Sequence, residues 1–529
     1  MRLRWVLLFA AALLFSAMPV TVIVSADPAS AGTETQFTPV DPQAAPATAA
    51  ELNYLGNLPG TGRFLTGYFA GWSNTGSSSP LSGYQDIADL FHATGEYPGL
   101  VECDYNGFGN PSSPTYVDSG SCDSYLEGYW GHGGVVEVGF HPNNPVQGGG
   151  YATGLTAAHV TELRTSGTAA YANWQQQLTA VATALNQLGA AGVTVIFRPL
   201  MEMNETGSGW FWWNGSGWTG NDYAAVWQQM YATITSKLTY HNVLWDWSPD
   251  QDGAGPAAYY PGAAYVDITG LDVYALAASG YPTESISNYA KVLEPGKPFG
   301  FNEIGMQGSF SYDFSQWPAA IASTYPKASF FLSWNGSNGS LGTNGSYQNT
   351  GGRALMNASQ DVNLTGSHLI AGFEGGSTGG WGDWTSQSGA MSSAWSVSDT
   401  DGTDRASQGQ YALKANITSL NPGQQAIFND YGFYQDLAGK TELSATVNVA
   451  SWNQPATGMT AQLYVRTGSS GTWHSGPAVP VTNSAAGTTL TMSLSGIPNL
   501  DDVTEIGVVF VPTTTAASGA LYVDNVTIQ

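Results

Sequence analysis

The sequence predicts a (β/α)8 barrel of the TIM type followed by an all-β jelly-roll sandwich. Three observations carry that prediction. Eight short apolar runs fall between residues 60 and 340, segments of helical periodicity or composition lie between them, and from residue 368 the helical pattern gives way to short alternating runs divided by turns. Strands alternating with helices imply βαβ units and a parallel sheet. Eight such units in about 280 residues suit a closed barrel, and 529 residues leave room for a second domain.

Taken in order, Arg2 and Arg4 precede an apolar stretch from Trp5 to Val24, with small residues at Ala26 and Ala31. This is the pattern of a secretory signal over residues 1–31, so the mature protein is expected outside the cell, with no membrane attachment after cleavage. Residues 32–58 are rich in Ala, Pro, Thr and Gln and lack periodicity, which reads as a flexible lead-in. The barrel is expected over 59–366, with strands at 65–72, 100–105, 135–141, 193–200, 243–249, 267–274, 298–305 and 328–335. Helices are expected at 84–94, 169–188, 223–238, 317–323 and 353–360. The remaining residues, 367–529, hold runs such as QYALKANI, ELSATVNVA, MTAQLYVRT, TLTMSLSG, EIGVVFVP and ALYVDNVTI, the spacing of a β-sandwich.

A barrel of this kind carries its chemistry at the C-terminal ends of its strands. Glu202 lies there in VTVIFRPLMEMN, ahead of the aromatic cluster Trp210, Phe211, Trp212 and Trp213, of which two are expected to be core. Glu303 ends strand 7 in KPFGFNEIG. Cleavage of a glycosidic bond with retention needs one carboxylic acid to protonate the leaving oxygen and a second carboxylate, roughly 5 Å away, to attack the anomeric carbon. Arg198, Leu200 and Glu202 share one parity, as do Phe299, Phe301 and Glu303, which predicts that both glutamates point inward. His141 ends strand 3, Tyr274 ends strand 6 and Trp334 closes strand 8. Asp250 follows strand 5, where it is read as the cap of the next turn.

Composition narrows the partners. Fourteen Lys plus Arg against 39 Asp plus Glu give a net charge of −25, which excludes nucleic acid as a partner. A surface rich in Gly, Ser, Thr and Asn, with 18 Trp and 27 Tyr, suits a neutral polysaccharide bound by stacking and uncharged hydrogen bonds. Cys103 and Cys122, the two cysteines, bracket a Gly/Pro/Ser-rich loop, and in an oxidising compartment they form one disulfide. Without a histidine cluster they make a poor zinc site.

The stretches PGLVECDY, VGFHPNNP, FRPLMEMN, WFWW, LWDWSPD, YYPGAAYVDITGLDVY, FGFNEIG and SWNG, spread over residues 60–360, resemble glycoside hydrolase family 26. The resemblance implies a retaining mechanism with Glu202 as acid/base and Glu303 as nucleophile, and Tyr274 hydrogen-bonded near the nucleophile. It also implies that His141, Trp210 and Trp334 contact the sugar; Arg198 and Tyr274 are expected to bind substrate with them, catalysis to need no cofactor, and the protein to be a monomer. The family usually places histidine where this chain has Met201, which cannot donate a hydrogen bond, and Asn302 or His141 is expected to fill that gap. The ETGSG stretch at 205–209 is longer than usual.

The C-terminal segment resembles β-sandwich carbohydrate-binding modules, through its opening GFEGGSTGGW and closing LYVDNVTI. That resemblance implies a structural calcium held by Glu374 and Asp524. It also implies a sugar platform drawn from Trp381, Trp384, Trp395, Trp452 and Trp473. The function expected is a secreted endo-β-1,4-mannanase acting on mannan. The alternatives are a β-1,3-xylanase or mixed-linkage β-glucanase of the same fold, or a catalytically silent polysaccharide-binding protein.

Overall fold

The computed structural model describes residues 35–529 except 73–86, 88–89, 91–93, 95, 107–111, 120–121, 132, 152–153, 206–210, 216, 276–281, 283–284, 307–312, 335–349, 365–367, 372, 374–377, 379–380, 399–403, 408–410, 436, 450–457 and 485. Eight parallel strands close the barrel: β1 (Phe64–Trp72), β2 (Leu100–Tyr105), β3 (Val135–Phe140), β4 (Val195–Pro199), β5 (Val243–Trp247), β6 (Ile268–Ala275), β7 (Phe299–Met306) and β8 (Ala328–Ser333). They pair in sequence order, with β1 joined to both β8 and β2, and the short β9 (Asp361–Val362) added beside β1. Each expected strand is present to within three residues at either end. The helices Ala169–Ala190, Gly220–Thr235, Trp317–Ser323 and Gly352–Met356 stand where periodicity placed them, while most of 84–94 lies outside the described residues.

The barrel interior is layered. Its floor is apolar, with Leu65, Leu100, Ile196, Leu244, Ile268 and Phe330 forming one cluster. Above the floor the inward positions turn charged or polar, at Glu102, Glu137, Arg198, Asp246 and Asn302, all fully buried. The outward face packs aromatic residues: Phe301 lies 5.5 Å from Trp317, and Phe197 lies 5.4 Å from Trp245.

The C-terminal part of the expected flexible lead-in is a helix. Pro46–Asn57 begins with Pro46, whose missing N–H costs nothing in a first turn, and Leu52, Leu55 and Leu58 join the apolar cluster of the barrel floor. Three leucines at spacing three made this the stripe of a helix seated on the barrel, a weak periodicity masked by the surrounding alanines. The segment ahead of it is tied down as well. Val40 N donates to Asp267 Oδ1 at 2.7 Å, and Asp41 Oδ2 lies 2.7 Å from His241 Nδ1.

Beyond the barrel, two antiparallel six-stranded sheets form the sandwich. One contains β12 (Trp395–Ser398), β13 (Tyr411–Leu420), β21 (Ala517–Ile528), β15 (Glu442–Val449) and β19 (Thr488–Ser493), with β10 (His368–Ala371) also on β21. The other contains β11 (Gly382–Thr385), β14 (Ala426–Gln435), β20 (Val503–Pro512), β16 (Met459–Thr467) and β17 (Thr472–Ser475), with β18 (Val479–Pro480) also on β16. Alternation sends Leu443, Ala445, Val447, Leu463, Val465, Val508 and Phe510 into the core. Cys103 and Cys122 are joined, with their Cα atoms 6.4 Å apart. Among the described residues no helix is long and apolar enough to cross a membrane.

Candidate active site

The chain leaves β4 in an unusual conformation. Leu200 and Glu202 both have φ of 54°, the left-handed region that branched and long side chains avoid. Such residues cost on the order of 1–3 kcal/mol each and persist where their surroundings over-determine them. Here Tyr223 Oη donates to Leu200 O at 3.0 Å, Trp213 Nε1 to Met201 O at 2.8 Å, and Glu202 N to Ser248 O at 2.9 Å. Phe211, Trp212 and Trp213 are all buried in the core, one more than the two expected, and Trp213 braces the loop that aims Glu202. Parity therefore does not set the direction of Glu202, because the chain is no longer extended there.

Parity misleads at β7 too. Phe299 and Phe301 face the outer helices, where both rings lie against Tyr289, yet Glu303 points into the barrel. The pairing with β6 runs Leu271↔Phe301 and then Asp272↔Glu303, so a bulge has inserted Asn302.

At the top of the barrel, carboxylate oxygens of Glu202, Asp272 and Glu303 lie within 4.8 Å of one another. Arg198 Nη2 donates to Glu303 Oε1 at 2.9 Å, and Tyr274 Oη donates to Glu303 Oε2. Arg198 also reaches Asp272 Oδ2 at 3.2 Å, Glu102 Oε1 at 2.8 Å and Glu137 Oε1 at 3.1 Å. Burial, then the charges of Glu303 and Asp272, push the Glu202 carboxyl well above the usual carboxylate range. Burial likewise lifts Glu102 to about 8, with Arg198 pulling the other way, and lifts Glu137 and Asp272 well up. One guanidinium facing four carboxylates leaves the remainder to be neutralised by protons. Glu202 is thus held as an acid beside a Glu303 gripped by two donors.

His141 sits one strand away. Its Nδ1 lies 2.6 Å from Asp104 Oδ2 and its backbone N–H donates to Asp104 Oδ1 at 3.2 Å. Trp72, Tyr151, Phe211 and Trp213 surround the imidazole at ring separations of 5.0, 5.2, 5.2 and 5.9 Å. Trp334 is partly buried and stacks on Phe69 at 4.0 Å. Asp250 caps its turn, with Oδ1 accepting from Asp252 N at 2.6 Å and Gly253 N at 2.9 Å.

Several expectations are corrected. Arg198, expected to bind substrate, is fully buried beneath Glu303, with its guanidinium engaged by carboxylates. Asn302 does not fill the gap at Met201, because its amide faces Glu137 and Asp246 inside the barrel. Asp272 and Asp104 were missed, although Asp272 shares inward parity with the chosen Tyr274 two residues along β6. Trp210, Trp452 and Glu374 lie outside the described residues.

Among the described residues, the carboxylates of Glu202, Asp272 and Glu303 are the group close enough to hold a metal ion. The oxygens of two of the three are committed to protein donors: Arg198 and Tyr274 take Glu303, and Arg198 and Ser248 take Asp272. In the sandwich, Asp524 Oδ2 accepts from Ser407 N at 2.6 Å and Ser407 Oγ at 2.7 Å, and Oδ1 from Asn525 N at 2.6 Å. A calcium at Asp524 would share its oxygens with these donors.

Comparison with known proteins agrees with this geometry. Residues 40–359 match the model of Glycosyl hydrolase family 26, and residues 371–525 match that of "Mannanase, galactose-binding domain-like". The chain is 30% identical to the mannan endo-1,4-beta-mannosidase A and B of Caldalkalibacillus mannanilyticus, over 92% of this chain and 93% of that protein. It is 33% identical to the mannan endo-1,4-beta-mannosidase of Bacillus subtilis, over 56% of this chain and 82% of that one. A solved Bacillus subtilis mannanase superposes with a TM-score of 0.55 at 32% identity, covering 62% of this chain and 96% of the other.

Proposed function

Because the chain belongs to glycosyl hydrolase family 26, we propose that it is a secreted, monomeric endo-β-1,4-mannanase that cleaves mannan with retention of configuration. The observation that carries the reading is the approach of Glu202 and Glu303 to within 4.8 Å, above Arg198 and beside Tyr274. A retaining pair stands about 5–5.5 Å apart, an inverting pair farther. Mannan is the substrate named for the two relatives above.

In the first step the Glu303 carboxylate attacks the anomeric carbon while Glu202 gives its proton to the leaving glycosidic oxygen. A glycosyl ester on Glu303 results. In the second, the Glu202 carboxylate takes a proton from water as that water attacks the same carbon, releasing Glu303 and the sugar in its original anomeric form. Arg198 and Tyr274 orient Glu303 for the attack. His141, held by Asp104, and Trp334, stacked on Phe69, offer a polar and an aromatic contact to the sugar.

For the sandwich, the reading is a polysaccharide-binding module. Trp384 and Trp473 are 51% and 36% exposed, whereas Trp381 is buried against Phe373. Register puts Trp384 in one row with Ile427 and Val509, and Trp473 in one row with Arg466 and Glu505, four residues from Val509 on the same strand. Both tryptophans therefore stand on one sheet face. Trp473 stacks on Tyr464 at 3.7 Å, a rigid flat surface of the kind a pyranose ring covers. Trp395 stands on the other sheet, over Lys414.

The test is reducing-end release from mannan, β-1,3-xylan, mixed-linkage glucan and cellulose, with the product anomer read by NMR. The expected result is cleavage of mannan with retention, abolished in Glu303→Ala. Glu202→Ala should still turn over aryl glycosides with good leaving groups. Cleavage of xylan or mixed-linkage glucan alone would move the substrate, an inverted anomer would overturn the pair, and binding without cleavage would leave a silent binding protein.

A further inference from the structure

The bulge in β7 has an anchor. Against β8 the pairing runs Phe301↔Phe331 and then Ile304↔Ser333, so three steps on β7 answer two on its neighbour, as they do against β6. The extra residue is Asn302, and with it two successive side chains, Asn302 and Glu303, turn into the barrel. Without the bulge, strict alternation from Phe301 would send Asn302 inward and set Glu303 outward against the helices.

Asn302 is fully buried, and both N–H bonds of its amide are used, toward Glu137 Oε1 at 3.1 Å and Asp246 Oδ2 at 2.5 Å. A side chain at Gly270, across the β6 pairing, would collide with Asn302 Oδ1, so the space is shaped for this amide. Glu137 Oε1 in turn forms an ion pair with Arg198, 3.1 Å from its Nε, and Arg198 Nη2 donates to Glu303 Oε1 at 2.9 Å. The links close a ring: Glu303 is bonded through the chain to Asn302, Asn302 to Glu137, Glu137 to Arg198, and Arg198 back to Glu303.

We propose that Asn302 is a positioning residue for Glu303, its amide clamped between Glu137 and Asp246 so that the β7 bulge holds the carboxylate at the Arg198 guanidinium. The proposal rests on Glu303 being the nucleophile. Glu137 and Asp246 are acceptors on two different strands, β3 and β5, so the clamp fixes β7 laterally in two directions. An acid at 302 would present an acceptor to two acceptors, and an amide at 246 would restore a donor to that pair.

The experiment compares Asn302→Ala, Asn302→Asp, Asp246→Asn and the Asn302→Asp/Asp246→Asn double variant on a soluble mannan oligosaccharide, each shown folded by thermal unfolding. Asn302→Ala should lower kcat at least tenfold with KM within about twofold, since the substrate does not touch residue 302. Asn302→Asp should lose more, and the double variant should regain at least tenfold over it. A folded Asn302→Ala with the parent's kcat, or a folded double variant no better than Asn302→Asp, would overturn the clamp. If Asn302→Asp does not fold, the kcat of Asn302→Ala decides alone. Failure of the underlying reading shows separately, as activity surviving in Glu303→Ala.

Discussion

Tyr274 donates its phenol hydrogen to Glu303 Oε2, the oxygen that Arg198 leaves free. Glu303 thus has one donor on each oxygen, one a permanent cation and one neutral. The neutral donor can be removed without leaving a buried charge unpaired. Tyr274→Phe is expected to lower kcat/KM on soluble mannan by about 10- to 100-fold, the worth of one hydrogen bond to a charged group. Steady-state kinetics of a folded variant check this, and parent-like kinetics would make Tyr274 a wall of the site only.

The interior carboxyls link stability to pH. Burial raises Glu102 to about 8, so between the ordinary carboxylate range and that value the folded state binds more protons than the unfolded one. Stability from this group is full below the unfolded pKa and falls as pH rises toward about 8. Glu102→Gln mimics the protonated form. Its melting temperature should decline less than the parent's between pH 5 and pH 8, and parallel curves would remove Glu102 from the linkage.

Met201 is buried, and its contact to the active-site loop is the carbonyl that accepts from Trp213. Its thioether supplies no donor to the sugar, and one neutral hydrogen bond is worth roughly 0.5–1.5 kcal/mol. Met201→His is therefore expected to change kcat/KM on mannan several-fold while mannan stays the preferred polymer. A polysaccharide panel checks this, and a parent inactive on every mannan would defeat it.

Trp384→Ala and Trp473→Ala should weaken retention on insoluble mannan about tenfold or more each, within the roughly 1–3 kcal/mol range of a lost stacking platform. Hydrolysis of soluble oligosaccharides should be unchanged. Affinity electrophoresis and pull-down on the insoluble polymer read the effect. If Trp395→Ala alone weakens binding, the other sheet carries the platform.

A structural calcium is proposed for the sandwich, with Glu374 and Asp524 as ligands. Removing calcium with a chelator should then lower the melting temperature, and added calcium should restore it. Unchanged melting would leave Asp524 as the partner of Ser407 and nothing more.

Strands were the most legible part of the fold. Each barrel strand is buried on both faces, and so reads as a continuous apolar run with polar residues gathered at its end. The two glutamates were legible for the same reason. What sequence hid were relations between strands that are not neighbours: Arg198 on β4 against Glu303 on β7, and Asn302 on β7 against Glu137 on β3. The inward direction of Glu303 was foreseen for a wrong reason, since parity with Phe301 would have placed it outside. No local signal marks a bulge at Asn302, which only the pairing of β7 with both neighbours reveals. In the sandwich, β14 was overlooked because Asn429 and Asp430 break its apolar run.

The helix Pro46–Asn57 changes where this enzyme can safely be cut. Leu52, Leu55 and Leu58 are the lid of the barrel floor, and burying one leucine is worth about 1.5–3 kcal/mol. Trimming the chain to residue 59, where composition alone would begin the folded part, would bare that floor to water. A leader removed after Ala26 or Ala31 ends upstream of Val40 and Asp41, the residues that tie the segment to Asp267 and His241. The proposed secretory processing would therefore use a stretch of chain separate from barrel closure, and the few residues between them would be the place for a tag or a fusion partner.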